Sequence, residues 1–90
     1  MNDARIALIR DLLSAALNPT SLDIVDESHK HVGHAGARSG GGHFDVTIVS
    51  EQFAGKSLIE RHRLVYAALG DAMNTEIHAL SIKAYTPEEL

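Results

Sequence analysis

The sequence predicts a single α+β domain, residues 1–90, in which helices pack on one face of a three-stranded mixed sheet. Three observations predict it. Apolar residues recur at helical spacing near the N-terminus and again after residue 57, and three runs alternate apolar with polar residues. A helix-bearing stretch separates the second alternating run from the third. Ninety residues with 44% hydrophobic content suit one modest core and exclude a large multi-step enzyme.

From Asp3 to Leu17, the residues Ile6, Ile9, Leu13, Ala16 and Leu17 fall at spacings of three and four, one stripe of a helix. Asn18-Pro19 ends it, because the residue before a proline is pushed out of the α region. Leu22, Ile24 and Asp26 then alternate with Asp23, Val25 and Glu27. Phe44, Val46 and Ile48 alternate with Asp45, Thr47 and Val49, and the two runs read as an antiparallel pair. Glu51 to Gly55 reads as a turn. Ser57-Leu-Ile-Glu60 has the form of a capping box and opens a helix through Leu58, His62, Val65 and Leu69 toward Met73, with Gly70 weakening its end. The last strand is Ile77 to Tyr85, with His78, Leu80, Ile82 and Ala84 on one face, and Thr86-Pro87 starts a further helical turn.

Roughly 27 residues containing a helix separate the last two strands, the length of a crossover between parallel strands. Parallel strands begin at the same edge of a sheet. The connection between the first two strands, His29 to Gly42, is too glycine-rich for helix or regular strand, yet it carries His29, His31 and His34, with His43 at its edge. With His78 opening the third strand, five of the six histidines are placed to converge. Imidazole is a metal ligand and a proton carrier near neutral pH.

The chain has no cysteine, which excludes disulfides, thiol catalysis and thiolate metal sites of its own. A metal centre must use histidine, carboxylate or backbone, or borrow sulfur from a partner. The loop histidines suit zinc, nickel or copper, but a closed four-ligand structural site is poorly served by a glycine-rich loop. Two plainer alternatives stand beside ligation: a solvated loop with incidental histidines, and a His78 that sits at the core edge bonded to backbone.

Arg61-His62-Arg63, with Lys56, is the local candidate for binding phosphate or an acidic partner, against an ordinary charged helix face. His62 is expected to turn inward with Val65 and Leu69, and Arg61 and Arg63 to point to solvent. Gly55-Lys56-Ser57 imitates the end of a phosphate-binding loop, but Ser50 stands where that motif requires glycine. The net charge of −4 disfavours nonspecific nucleic-acid binding. No apolar run approaches the roughly 20 residues that cross a membrane, and Met1-Asn-Asp-Ala-Arg-Ile is no signal peptide, so a cytoplasmic location is expected. Neither a nucleophile elbow, a helical zinc-protease motif nor a paired-carboxylate site is present, so the chain is not expected to be an enzyme.

Asp26-Glu-Ser28, then Phe53-x-Gly55 and Arg61-His-Arg63, then Ile77-His-Ala-Leu80, in this order and spacing, resemble the BolA family over nearly the whole chain. That resemblance implies an α-β-β-α-α-β fold, similar to the class II KH arrangement, with a short helical turn before the main second helix. It also implies partnership with a monothiol glutaredoxin, a shared bridging [2Fe-2S] cluster, and a role in iron homeostasis and cluster trafficking. The ligands it implies are His78, from the Ile-His-Ala-Leu motif, and a residue of the first connection, which falls on His31, with His34 or His29 as substitutes. Two imidazoles on one iron is the Rieske-type arrangement. Sulfur comes from the glutaredoxin cysteine and glutathione, and the isolated chain is expected to be a monomer without a cluster. The connection lacks the cysteine that some members of the family carry there, and it has extra histidines and Gly40-Gly-Gly42. The alternative the resemblance offers is a DNA-binding transcriptional regulator using Arg61, Arg63 and Lys56, opposed by the acidic charge and by the lack of a Gly-x-x-Gly clamp.

Overall fold

A computed structural model describes residues 3–27 and 42–90. Helix α1 (Asp3–Leu17) leads into strand β1 (Ser21–Asp26), and β2 (Gly42–Val49) is followed by a 3-10 turn, Glu51–Phe53. Helix α2 (Leu58–Leu69), the short α3 (Ala72–Thr75), β3 (Ile77–Tyr85) and a closing 3-10 turn, Pro87–Glu89, complete the chain. This is the α-β-β-α-α-β order, with the short helical turn in front of α2.

The four-residue spacing of Ile9, Leu13 and Leu17 makes one stripe, and all three side chains are buried. Asn18 stops the helix at φ 45°, its N–H donating to the Ser14 carbonyl at 3.1 Å. Asparagine tolerates this left-handed geometry, and Pro19 forbids the helical alternative. Strand order is β1-β2-β3, with β2 antiparallel to β1 and parallel to β3. The register stacks Leu22, Ile48 and Ala84 in one row and Ile24, Val46 and Ile82 in the next. These residues and Phe44 meet Val65 and Leu69 of α2 in the core. Each fully buried large side chain, Phe44 and Phe53 among them, is worth about 2–3 kcal/mol of transfer free energy. The other face of the sheet presents Asp45, Thr47, Ser81 and Lys83, half-buried or exposed, as suits a sheet covered on one side.

Two details of α2 depart from the sequence pattern. The helix ends at Leu69 because Gly70 takes φ 53° and donates to the Tyr66 carbonyl, so Met73 belongs to the separate α3. Leu58, expected on the inward stripe, is 65% exposed, since the capping box starts the helix outside the core and burial begins a turn later.

Candidate functional site

The start of β3 breaks strand periodicity. Gly42 pairs with Ile77, but the next residue, His43, pairs with Ala79, so His78 is the unmatched residue of a β-bulge. The bulge has a packing cause. Ile77 is 5% exposed and Leu80 also packs against the core, yet residues three apart face opposite ways in a regular strand. One extra residue reconciles them, and His78 is turned outward as a result. The expectations that His78 shares a face with Leu80, Ile82 and Ala84, and that it is a backbone-bonded core-edge histidine, are both corrected here. It is exposed, and its imidazole has no hydrogen-bond or ion-pair partner among the described residues.

The surroundings of His78 are held firmly. The Gly42 N–H donates to the Glu76 carbonyl at 3.1 Å, and the Glu27 N–H to the His43 carbonyl at 2.8 Å. Arg5 Nε reaches Glu76 Oε2 at 2.9 Å, tying α1 to the residue before β3. Both ends of the chain flanking residues 28–41 are therefore fixed at the edge where β3 begins. His29, His31 and His34 lie outside the described residues. Glu27 and His78 are separated by two strand spacings, about 10 Å. His43 stands on the outer face of β2, Nε2 3.8 Å from Asp45 Oδ1. Among the described residues no group of three His, Cys, Asp or Glu side chains is arranged to hold a metal ion.

The opposite edge is built differently. Arg61 was expected to point to solvent; instead its side chain is only 12% exposed. Nε donates to the Lys56 carbonyl at 3.0 Å, Nη1 to the Ala84 carbonyl at 3.1 Å, and Nη1 and Nη2 to the Glu89 carboxylate at 2.6 and 2.9 Å. Glu89 Oε1 also accepts the Thr86 N–H at 2.8 Å. The Arg61 fork, and then the Thr86 N–H, hold the Glu89 carboxyl down at about 2, and Glu89 pushes the guanidinium further up. Arg61 thus fastens α2, the end of β3 and the closing turn together, with its fork geometry fully used. Lys56 and Arg63, by contrast, are exposed and have no hydrogen-bond or ion-pair partner for their charged ends among the described residues. His62 turns inward as expected, and its buried Nε2 has no hydrogen-bond partner among the described residues.

The Gly55-Lys56-Ser57 segment is a helix cap. The Ser57 hydroxyl accepts the Glu60 N–H, and the Glu60 carboxylate takes the Ser57 N–H at 2.8 Å, occupying the donors a phosphate would need. Two features escaped sequence reasoning. The Arg61–Glu89 pair had a signal in Thr86-x-x-Glu89, a capping pattern that places this carboxylate beside the end of β3. The bulge had one in large apolar residues at both 77 and 80.

With this geometry in place, the profile of the BolA-like protein family matches residues 13–89. The chain belongs to the BolA family. SufE-like protein 1 of Arabidopsis thaliana, named as chloroplastic/mitochondrial, is 46% identical over 87 residues, which cover 91% of this chain and 24% of that much longer protein. The DNA-binding transcriptional regulator BolA of Escherichia coli is 41% identical over 81 residues, 90% of this chain and 74% of the regulator. The solved BolA domain of SufE1 from Arabidopsis superimposes with a TM-score of 0.85 at 45% identity, covering 97% of this chain and 96% of that domain. A BolA domain thus forms part of a much longer protein named for chloroplast and mitochondrion, and the family by itself fixes no location. No helix among the described residues is long and apolar enough to cross a membrane.

Proposed function

We propose that this BolA-family chain works with a monothiol glutaredoxin and glutathione, giving histidine ligands to a shared [2Fe-2S] cluster in cluster trafficking or iron-homeostasis signalling. The observation that carries the proposal is His78: an exposed imidazole without a partner among the described residues, set out on a bulge at the edge where residues 28–41 leave and rejoin the sheet. The donor set suits such a cluster, since imidazole binds iron while the absence of cysteine leaves the sulfur ligands to the partner. In this role His78 is the fixed ligand. His31 supplies the second imidazole, with His34 and His29 as substitutes within the same segment. The Gly42–Glu76 and Glu27–His43 hydrogen bonds hold the roots of that segment beside His78. The chain acts as carrier or sensor rather than catalyst.

Titrating a cluster-loaded monothiol glutaredoxin with this protein and following visible circular dichroism tests the proposal. A new spectrum that saturates at one chain per cluster is expected; an unchanged spectrum overturns it.

A second reading, DNA-binding transcriptional regulation, is favoured by the name of the Escherichia coli relative. The clamp on Arg61 takes away one of the three cations that reading relied on, leaving Arg63 and Lys56. A salt-dependent mobility shift lost in Arg63→Ala with Lys56→Ala, in a protein whose dichroism with glutaredoxin does not change, would promote it.

A further inference from the structure

Helix α2 exposes more large apolar side chains than any other described element. Leu58 is 65% exposed, Ile59 63% and Tyr66 42%. Ile59, Arg63 and Tyr66 follow one another at i, i+4 and i+7 on a single stripe, with Leu58 beside it. The capping box at Ser57 and Glu60 fixes the backbone that presents them, so little order remains to be imposed on binding. Lys56 stands just before this surface and Arg63 within it, both without ion-pair partners among the described residues. Glu60 lies between them, its carboxylate engaged by Ser57 and held below the usual carboxylate range by those hydrogen bonds and by the two cations. Two cations against one carboxylate leave the patch positive on a chain whose net charge is −4.

We propose that this face of α2 docks an acidic amphipathic segment of a partner protein, apolar side chains against Leu58, Ile59 and Tyr66 and carboxylates toward Lys56 and Arg63. The site is separate from the histidine edge. Arg61, one residue past Glu60, bonds the Ala84 carbonyl, six residues along β3 from His78 and so about 20 Å away. A ligand group bound at His78 leaves the start of α2 free, and the two surfaces can be occupied together. A second copy of the chain is a poor occupant, because a two-fold contact through the same patch sets Lys56 and Arg63 against their own equivalents. A nucleic acid is also a poor one, since the exposed Leu58 and Ile59 offer nothing to phosphate and Arg61 is committed to Glu89.

The test uses the full chain, labelled with nitrogen-15, and two synthetic helical peptides that share leucines at i, i+3 and i+7 and differ only in flanking glutamates or lysines. A duplex oligonucleotide is the third probe. The glutamate peptide is expected to move the amide resonances of residues 57–67 saturably, to weaken with salt, and to leave the His78 amide in place, while the lysine peptide binds less. Leu58→Ser and Arg63→Glu are each expected to weaken binding roughly tenfold or more. Both sites are exposed, so their unfolding midpoints should stay near that of the parent. Four results overturn the proposal: no movement of these resonances with the glutamate peptide, equal binding by the variants, movement that follows the concentration of the chain alone, or a preference for the oligonucleotide that survives Leu58→Ser.

Discussion

The two ends of the parallel strand pair contrast sharply. Where β2 and β3 finish, polar groups are drawn together. Arg61 bridges Lys56, Ala84 and Glu89, and the buried Ser50 hydroxyl donates to the Leu17 carbonyl at 2.6 Å while accepting the Gln52 N–H. Phe53 lies fully buried beneath this end. Where the same strands begin, the backbone is equally well tied by Gly42, Glu27 and Glu76, but a bulge places an imidazole in solvent with no partner among the described residues. The contrast separates two jobs that sequence alone presents as one set of charged and histidine residues. One edge holds the fold, and the other leaves an imidazole exposed.

Substitution should expose that division. Phe53→Ala, at the closed end, should cost about 3–5 kcal/mol in denaturant unfolding, because it removes a fully buried aromatic side chain and leaves a cavity. His78→Ala, at the open end, should stay within about 0.5 kcal/mol of the parent. A large loss for His78→Ala would break the comparison. Gly70→Ala, at the end of α2, should cost about 1–2 kcal/mol, since φ 53° is strained for alanine even though no atom lies within 4 Å of the added Cβ.

The arginines sharpen it further. Arg61→Ala should lower the thermal midpoint, and Arg61→Lys should not restore it, because an ammonium cannot bridge the same acceptors. Arg63→Ala should leave the midpoint in place. The pH dependence has a definite sign. Glu89 is held at about 2 in the folded chain against an ordinary value of 4.5, so its contribution to stability is full above about 4.5 and fades as the pH falls toward 2. A carboxyl-carbon titration by NMR should place the Glu89 midpoint near 2 in the parent and higher in Arg61→Ala, still below the ordinary value because the Thr86 N–H continues to bond the carboxylate.

Much of this was legible in the sequence because the signals were local. The Ile9, Leu13 and Leu17 stripe, the two alternating runs and the Ser57–Glu60 box each lie within a few residues of their own partners. The long helical crossover also announced that β2 and β3 are parallel, and hence that His43 and His78 begin at the same edge. What escaped depended on non-local choices. Arg61 finds Glu89 only after the chain has folded back 28 residues, and no spacing rule separates it from Arg63. The bulge arises because Ile77 and Leu80 compete for one core, a conflict visible in the residue types but resolved only by packing. At Leu58, the cap position outweighs the apolar side chain.

The central claim is that the histidine edge, and not the arginine edge, carries the chemistry. It is tested most directly by visible circular dichroism of a cluster-loaded monothiol glutaredoxin titrated in parallel with parent, His78→Ala and Arg61→Ala, each first shown to be folded at the working temperature. The account predicts the spectral change with the parent and with Arg61→Ala, and none with His78→Ala. A full change with His78→Ala would contradict it.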